Sequence, residues 1–487
     1  MTLHTSSLAP SPLHSPDGPS RRSVLCTSTG AVLGAALVPA VRAAAPAPAA
    51  APAPLAAAAG KAPARWQNWS GIAHCQPTRL LAPPNEAALA QALRAAPSRP
   101  VRCVGAGHSF TQLVPTDHWL VSLDQLSGVS AAAPGADTVL VQGGTRLATA
   151  SRQLDAAGLA LRNLPDVDVQ SYAGAISTAT HGTGLTLPAL HADVVALRLV
   201  TARGEVVECS EQQRPDLLAA ARVSLGSLGV ITQARVRVVP AYNLHRRVWL
   251  EPAQQLLERA PELARAHRNF ELYYLPFTGY AAGIAHDIDT TGQVLMPHAA
   301  DEDVLRDLRR LRDWLGHFPS LRRKVAGWAI DPNQREEARN RAWRLLATQR
   351  PTRFNETEYH VPQEVGVACA KEVIAALEKR KDVYFPMEFR FVAADDAWLS
   401  PFYQRASCSI AVHAAVGEPY EYLTSEIGPI FRKYQGRPHW GKLHDLGAAQ
   451  LAALYPRWSE FVALRRELDP QGRFLNAHLR QLFGGPA

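Results

Sequence analysis

The alternation of apolar and polar positions divides this chain into two stretches of different texture. Between Arg65 and Pro240, short apolar runs alternate with brief helical patterns. Pro100–Val104, Trp119–Leu123, Val139–Gln142, Val194–Thr201, Val206–Cys209 and Val230–Val239 read as strands. Asn85–Ala96 reads as a helix, and Thr145–Ala157 as an amphipathic helix that stops at Gly158. From Tyr242 the helical patterns lengthen: Pro252–His267, Asp301–Leu315, Asn333–Thr348, Gln363–Lys381 and Gly447–Leu468. Strand-like runs sit among them at Phe270–Leu275, Tyr384–Val392 and Ser407–His413. The pattern predicts an α+β fold in two domains, 65–240 and 241–487, the second a sheet covered by helices. It is not a run of βαβ units, and the dinucleotide fingerprint with its downstream acidic residue is missing.

Length and composition agree with two packed domains: 487 residues at 47% hydrophobic content can bury a large core. The first 64 residues do not share this texture. Ser20-Arg21-Arg22-Ser23-Val24-Leu25, the apolar run Gly30–Ala40 and Val41-Arg42-Ala43 read as a twin-arginine leader spanning 1–43 with a small-residue cleavage site. That run is too short for a comfortable membrane span. Export in folded form suits a protein that acquires its cofactor in the cytoplasm and works in the periplasm. Residues 44–64 are almost wholly Ala and Pro and read as an extended tether.

Charge and cysteines narrow the picture by exclusion. The formal net charge is +8, and the leader holds three arginines against one aspartate, which leaves +6. The densest basic run, Arg306–Lys324, is interleaved with Asp307, Asp313 and leucines at helical spacing. It reads as a solvated helix face and not as a nucleic-acid patch. Five cysteines follow the leader, at 75, 103, 209, 369 and 408, without a C-x-x-C spacing. They read as buried thiols, with one disulfide as the alternative. His74-Cys75 has no second ligand pair at metal spacing, so no metal is expected and a zinc hydrolase is a remote reading.

Two glycine-rich stretches carry the candidate chemistry. Val104-Gly105-Ala106-Gly107-His108-Ser109-Phe110 turns directly after a strand, where glycines bring backbone N–H groups close to a phosphate-bearing ligand. Gly174-Ala175-Ile176-Ser177-Thr178-Ala179-Thr180-His181-Gly182-Thr183-Gly184 follows, preceded by Asn163-Leu164-Pro165 and succeeded by Ser224–Ile231. In this order the segments resemble the FAD-binding domain of the vanillyl-alcohol-oxidase (PCMH) type of flavoprotein. The resemblance implies FAD held by Val104, Gly105, Ala106, Gly107, His108, Ser109, Phe110, Pro165, Ser171, Gly174, Ala175, Ser177, Thr178, His181, Gly182, Thr183, Gly184, Gly229, Ile231 and Lys442. It also implies a covalent bond from His108 to the flavin. Pro165 takes a position that relatives use to control oxygen access, where Gly or Pro accompanies oxidases and Ala dehydrogenases.

The second half narrows the family. Met387-Glu388-Phe389-Arg390-Phe391-Val392 puts Glu and Arg at i, i+2 on a strand, on one face. A Glu-x-Arg pair alone is most often an ion pair of the fold. With Ala411-Val412-His413 and Arg437-Pro438-His439-Trp440-Gly441-Lys442, however, it resembles the sugar-1,4-lactone oxidases and alditol oxidases. That resemblance implies oxidation of a carbinol in a sugar lactone or polyol, with hydride passing to flavin N5 and oxygen giving hydrogen peroxide. Glu388 and Arg390 would orient hydroxyls, His413 would bind substrate or take the proton, and Lys442 would place a cation near the flavin. Taken alone, His413 fits a core histidine, while His181 and His439 fit structural or packing roles. Ala414-Ala415-Val416 departs from the more aromatic run of alditol oxidases, and Pro165-Asp166 from their Gly-Ser. A cytochrome or quinone acceptor, and a flavin-binding electron carrier without turnover, are the alternative readings.

Overall fold

The computed structural model describes residues 65–131, 135, 137–296, 301–348 and 352–483; the leader 1–43 and the tract 44–64 lie outside the described residues. The first stretch builds two small sheets. Arg79–Leu81, Trp119–Ser122 and Val101–Val104 pair in parallel, with Trp119–Ser122 in the centre. The helix Glu86–Ala95 makes the crossover, its first turn closed by the Asn85 side chain accepting from Ala88 N–H at 2.8 Å. This is a single βαβ crossover. A second sheet, Thr138–Gln142, Val230–Arg237, Val194–Val200 and Val206–Ser210 in that spatial order, is antiparallel throughout.

From Asn243 the chain forms one sheet of eight strands. Its spatial order is Arg335–Arg341, Asn243–Pro252, Tyr280–Asp289, Asn269–Tyr274, Met387–Val392, Ser407–Ala415, Phe354–Pro362 and Arg437–Pro438. One face of its central strands is apolar: Leu272, Tyr274, Phe389, Phe391, Ile410, Val412, Tyr359 and Val361 pack under the helices Ala253–Ala266 and Gly366–Leu377. The other face is polar yet buried, and it turns toward the glycine loops. The end of the chain returns to the first stretch. Val101 N–H bonds Arg473 O at 2.7 Å, and Arg102 donates to Phe474 O at 2.5 Å.

Three expectations change. The predicted helix Asn333–Thr348 is the edge strand Arg335–Arg341 followed by a short helix, Ala342–Leu346. Its charged residues find partners across strands, with Arg246–Glu336 at 3.2 Å and His245–Glu337 at 2.9 Å. Gly447–Leu468 is two helices, Ala448–Leu454 and Trp458–Leu468, because Pro456 cannot continue the first and holds its predecessor extended. The strands Asn243–Pro252, Tyr280–Asp289 and Phe354–Pro362 had no counterpart in the sequence pattern, and the helical run Arg306–Lys324 falls in two helices, Asp301–Leu315 and Pro319–Ala329. The five cysteines within the described residues are free thiols, four of them buried. Among the described residues, no helix is long and apolar enough to cross a membrane.

Candidate active site

The glycine loops meet in a cleft with an empty volume of about 920 Å³ where it opens to solvent. Val104, Gly105, Ala106, Gly107, His108 and Ser109 line it, as do Ser171, Gly174, Ser177, Thr178, Gly229 and Ile231, with Arg102, Asp124 and Gln170 among its polar residues. The first turn needs its glycines. Gly107 has φ +70, and a Cβ on Gly105 would stand 2.0 Å from the Ser171 hydroxyl. Gly143 and Gly144, which the sequence reading passed over, also line the cleft. A Cβ on Gly144 would lie 1.8 Å from Leu123 O, and one on Gly143 would lie 2.3 Å from Ile231 O. Their signal was an adjacent Gly-Gly pair ending the strand Thr138–Gln142.

Not every predicted cofactor residue lines this cleft. Ala175 points into the hydrophobic core from its helix, since its face packs under the sheet Thr138–Gln142 and Val230–Arg237. The Phe110 ring leaves the cleft to stack on Phe354, at 6.0 Å. Pro165 is buried beside Asp166, whose carboxylate lies 4.0 Å from Arg390 Nη2. Thr183 and Gly184 stitch the second loop to the large sheet. Thr183 Oγ1 donates to Phe270 O at 2.5 Å, and Gly184 N–H donates to Phe391 O at 2.8 Å. Gly182 packs on Leu164 O, where a Cβ would come to 2.2 Å.

The register of the large sheet assembles the rest. Tyr273 faces Glu388, Glu388 faces Ala411, and Ala411 faces Glu358. One pleat along, Glu271 faces Arg390, Arg390 faces Ser409, and Ser409 faces His360. Glu356 faces His413. All these side chains therefore share one buried face. Glu271, Tyr273, Glu356 and Glu358 were not singled out in the sequence. The signal for the last two was the alternation Asn355-Glu356-Thr357-Glu358-Tyr359-His360.

Arg390 organises one half of this face. Its guanidinium reaches Glu271 at 2.5 Å, Glu388 at 2.9 Å and the Tyr273 hydroxyl at 2.9 Å. Burial pushes the Glu271 carboxyl up despite Arg390. Lys442 organises the other half. It pairs with Glu356, lies 3.9 Å from Glu358 Oε2, and sits over the Phe110 ring at 5.2 Å. The turn that presents it is built on the same strand: His439 N–H bonds Glu358 O at 2.9 Å, and Leu443 N–H bonds Glu356 O at 2.9 Å. His439 Nδ1 accepts from Gly441 N–H at 3.0 Å, and burial holds its ring down to about 3. Phe110 N–H bonds Gly441 O at 2.6 Å, which ties the first glycine loop to the turn that carries Lys442.

His413 stands between the halves. Its Nδ1 faces Pro386 O at 3.1 Å; a carbonyl only accepts, so Nδ1 carries a hydrogen, and it is Nε2 that holds the lone pair in the neutral form of the ring. Nε2 lies 3.7 Å from Glu356 and 3.8 Å from Glu388. Five buried or half-buried carboxylates, Asp166, Glu271, Glu356, Glu358 and Glu388, thus surround two permanent cations, Arg390 and Lys442. Burial also raises Glu356, which Lys442 and His413 only partly offset. A face with this surplus of negative charge is disposed to take up a proton.

His181 reaches this face from the second loop, with Nδ1 2.8 Å from Gly182 O and Nε2 3.1 Å from Glu358. Burial opposes ionisation of Glu358, yet His181, His439 and Lys442 hold its carboxyl well below the usual range. His181, Glu358 and His360 offer ligand atoms within 4.8 Å of one another. The Glu358 carboxylate is committed to His181 and the Ser409 hydroxyl, whereas both buried ring nitrogens of His360 have no hydrogen-bond partner among the described residues. His108 stacks on Trp69 at 5.2 Å, and burial, with Lys442 and Arg146 near, pushes it down to about 4.

The comparisons with known proteins cover the same two regions. A family model described as FAD binding domain matches residues 77–210, and one described as D-arabinono-1,4-lactone oxidase matches residues 234–482. The chain is 37% identical over 428 residues to an L-gulono-1,4-lactone dehydrogenase of Mycobacterium tuberculosis, covering 86% of this chain and 99% of that protein. It is 31% identical over 406 residues to an alditol oxidase of a Streptomyces species, covering 79% and 91%. Its fold superposes on a solvent-stable cholesterol oxidase with a TM-score of 0.70 at 17% identity, covering 86% of this chain and 97% of that one.

Proposed function

This chain belongs to the D-arabinono-1,4-lactone oxidase family of FAD-dependent oxidoreductases, and on that premise we propose that its buried sheet face holds a carbinol of an aldonolactone or alditol and takes the proton as it is oxidised. The observation that carries the proposal is the convergence of Glu388, Arg390, His413 and Lys442, from three segments of the chain, on one face beside the glycine cleft. The cleft suits FAD: glycine is the commonest residue of its lining, with serine, alanine and threonine beside it, and a Cβ on Gly105 or Gly144 would clash there. FAD bound there supplies the acceptor for the carbinol hydride.

The chain's own groups do the rest. Arg390, pinned by Glu271 and Tyr273, fixes Glu388 as an acceptor for substrate hydroxyls. His413 offers the Nε2 lone pair to the reacting hydroxyl. The imidazolium so formed lies between Glu356 and Glu388, which stabilise it. Lys442 holds its ammonium over the Phe110 ring, next to the first glycine loop. Anaerobic mixing with a panel of aldonolactones and alditols tests the proposal: substrates bleach the flavin absorbance. Silence across the panel would favour an electron carrier without turnover.

Oxygen is the proposed second acceptor, reduced to hydrogen peroxide, with Pro165 leaving oxygen a path. Transfer to a cytochrome or quinone is the second reading, favoured by the 37% identity to a dehydrogenase. Reoxidation of the reduced enzyme in air separates the two. His108 is the proposed covalent attachment point; a ring held neutral keeps the lone pair that such a bond requires. Arg21 and Arg22 are proposed to direct export to the periplasm. Retention of precursor in the cytoplasm on replacing both with lysine would support this, and normal export would exclude it.

A further inference from the structure

At the Glu358 end of the buried sheet face stands a group of polar side chains that the carbinol chemistry does not use. His181 comes from the second glycine loop, and Glu358 and His360 stand two residues apart on the strand Phe354–Pro362, so both point to one face. Their ligand atoms lie within 4.8 Å of one another. The three residues are 5%, 4% and 0% exposed. His181 Nδ1 is 2.8 Å from Gly182 O. A carbonyl only accepts, so Nδ1 carries a hydrogen, and in the neutral ring the Nε2 lone pair meets Glu358 Oε1 at 3.1 Å. Two acceptors at that distance repel unless a proton or a cation stands between them. His360 decides between the two. Both of its ring nitrogens are buried without a hydrogen-bond partner among the described residues. Its neighbours are rings: Phe402 at 4.5 Å, His181 at 5.0 Å and His439 at 5.9 Å. A proton on His181 leaves His360 as it is, whereas a metal ion held by all three residues takes up the His360 lone pair as well.

The set has the composition of a transition-metal site. Two imidazoles and one carboxylate supply three of the four ligands of zinc, at about 2.0–2.2 Å each, which puts neighbouring ligand atoms about 3.3 Å apart. His181 and Glu358 already stand near that spacing. His360 has only to turn its ring toward them, and no hydrogen bond to its ring nitrogens holds it back. Burial keeps that ring well below the usual histidine range, so it is present in the neutral form that binds metal. The outer contacts are also in place: Gly182 O fixes the His181 ring, and the Ser409 hydroxyl donates to Glu358. His439 does not complete the shell, because its Nδ1 accepts from Gly441 N–H and the hydrogen of the neutral ring is therefore on Nε2. Charge favours an ion here, since the face sets five carboxylates against two permanent cations. Spacing along the chain hid the set. Residue 181 joins 358 and 360 only through the fold, whereas the sequence expectation of no metal rested on the surroundings of His74-Cys75.

We propose that His181, Glu358 and His360 bind a divalent transition-metal ion, zinc by the character of its ligands, which clips the second glycine loop to the large sheet. The ion is structural and is independent of which carbinol or acceptor the enzyme uses. In the test, FAD-loaded enzyme without an affinity tag is dialysed against zinc chloride, desalted and analysed for metal by mass spectrometry. Stoichiometric zinc is expected in the parent and in His74→Gln. His360→Gln should retain little, with its flavin spectrum reporting that it has folded. Removing the zinc from the parent with a chelator should lower the thermal midpoint by roughly 3–5 °C, and adding it back should restore it. Cobalt(II) in place of zinc should give the visible bands of a four-coordinate site at wavelengths beyond the flavin absorption. That signature reads the ligand shell even if His360→Gln does not fold. Three results would each overturn the proposal and leave His360 to a buried water: no metal retained by the parent, equal zinc in the parent and H360Q, or only the weak bands of six-coordinate cobalt.

Discussion

Replacing Glu388 with glutamine removes one charge from the active face at almost no cost in volume. The amide oxygen can still accept from Arg390, which keeps Glu271 at 2.5 Å and Tyr273 at 2.9 Å. The thermal midpoint should therefore stay within about 2 °C of the parent. The rate should not stay. Glu388 lies 3.8 Å from His413 Nε2, where a full charge acts on a new imidazolium with about 4 kcal/mol at an effective dielectric near 20. Arg390, 2.9 Å from the other carboxylate oxygen, screens part of this. A loss of roughly 1.5–3 kcal/mol remains, or about ten- to a hundred-fold. The assay is anaerobic stopped-flow bleaching of the flavin at saturating substrate. Glu271→Gln is the control: it touches the same guanidinium one strand further from His413, and burial already inclines that carboxyl toward protonation. It should slow bleaching much less. Equal bleaching rates in E388Q and parent would refute the reasoning and leave Glu388 an ion-pair partner of the fold.

Other outcomes follow from the same geometry. On a denaturing gel under ultraviolet light, the parent should show a fluorescent band that His108→Ala lacks; yellow colour released into the acid supernatant of the parent would contradict the covalent bond. Pro165→Ala should slow reoxidation in air and leave anaerobic bleaching nearly unchanged, whereas sluggish reoxidation of the parent would favour the dehydrogenase reading. Gly144→Ala drives a methyl onto Leu123 O and should cost about 1–3 kcal/mol with loss of bound flavin; normal flavin content would show that the backbone yields there. His286, His439 and His444 are pushed down to about 3 by burial, and His108 and His478 to about 4. The unfolded chain binds those protons first, so stability falls as the pH drops below about 6.5 and continues to fall toward 4. Urea midpoints should show uptake of more than one proton on unfolding across that window, and a flat profile would count against these buried neutral rings.

By itself the sequence determined the features that depend on neighbours along the chain. Gly107, at φ +70, is needed for one local turn, and the alternation Glu388-x-Arg390 places both groups on one face of any strand that contains them. The apolar periods of Glu86–Ala95 and Ala253–Ala266 likewise state which side faces the core. Tertiary structure decided what those faces meet. Arg335–Arg341 is charged enough to pass for a helix surface, and only pairing with Asn243–Trp249 makes it an edge strand. Glu356 and Glu358 look like solvent-facing acids until Lys442, more than eighty residues later, arrives beside them. Glu271, Asp166 and Glu388 come from three distant segments to one guanidinium. The buried Arg322 was equally hidden, because helical spacing does not say that Phe277 and Val383 will take its guanidinium. Local conformational preference reaches a few residues, whereas burying a charge is tolerable only where a counter-charge is delivered by strand register, and register belongs to the whole sheet.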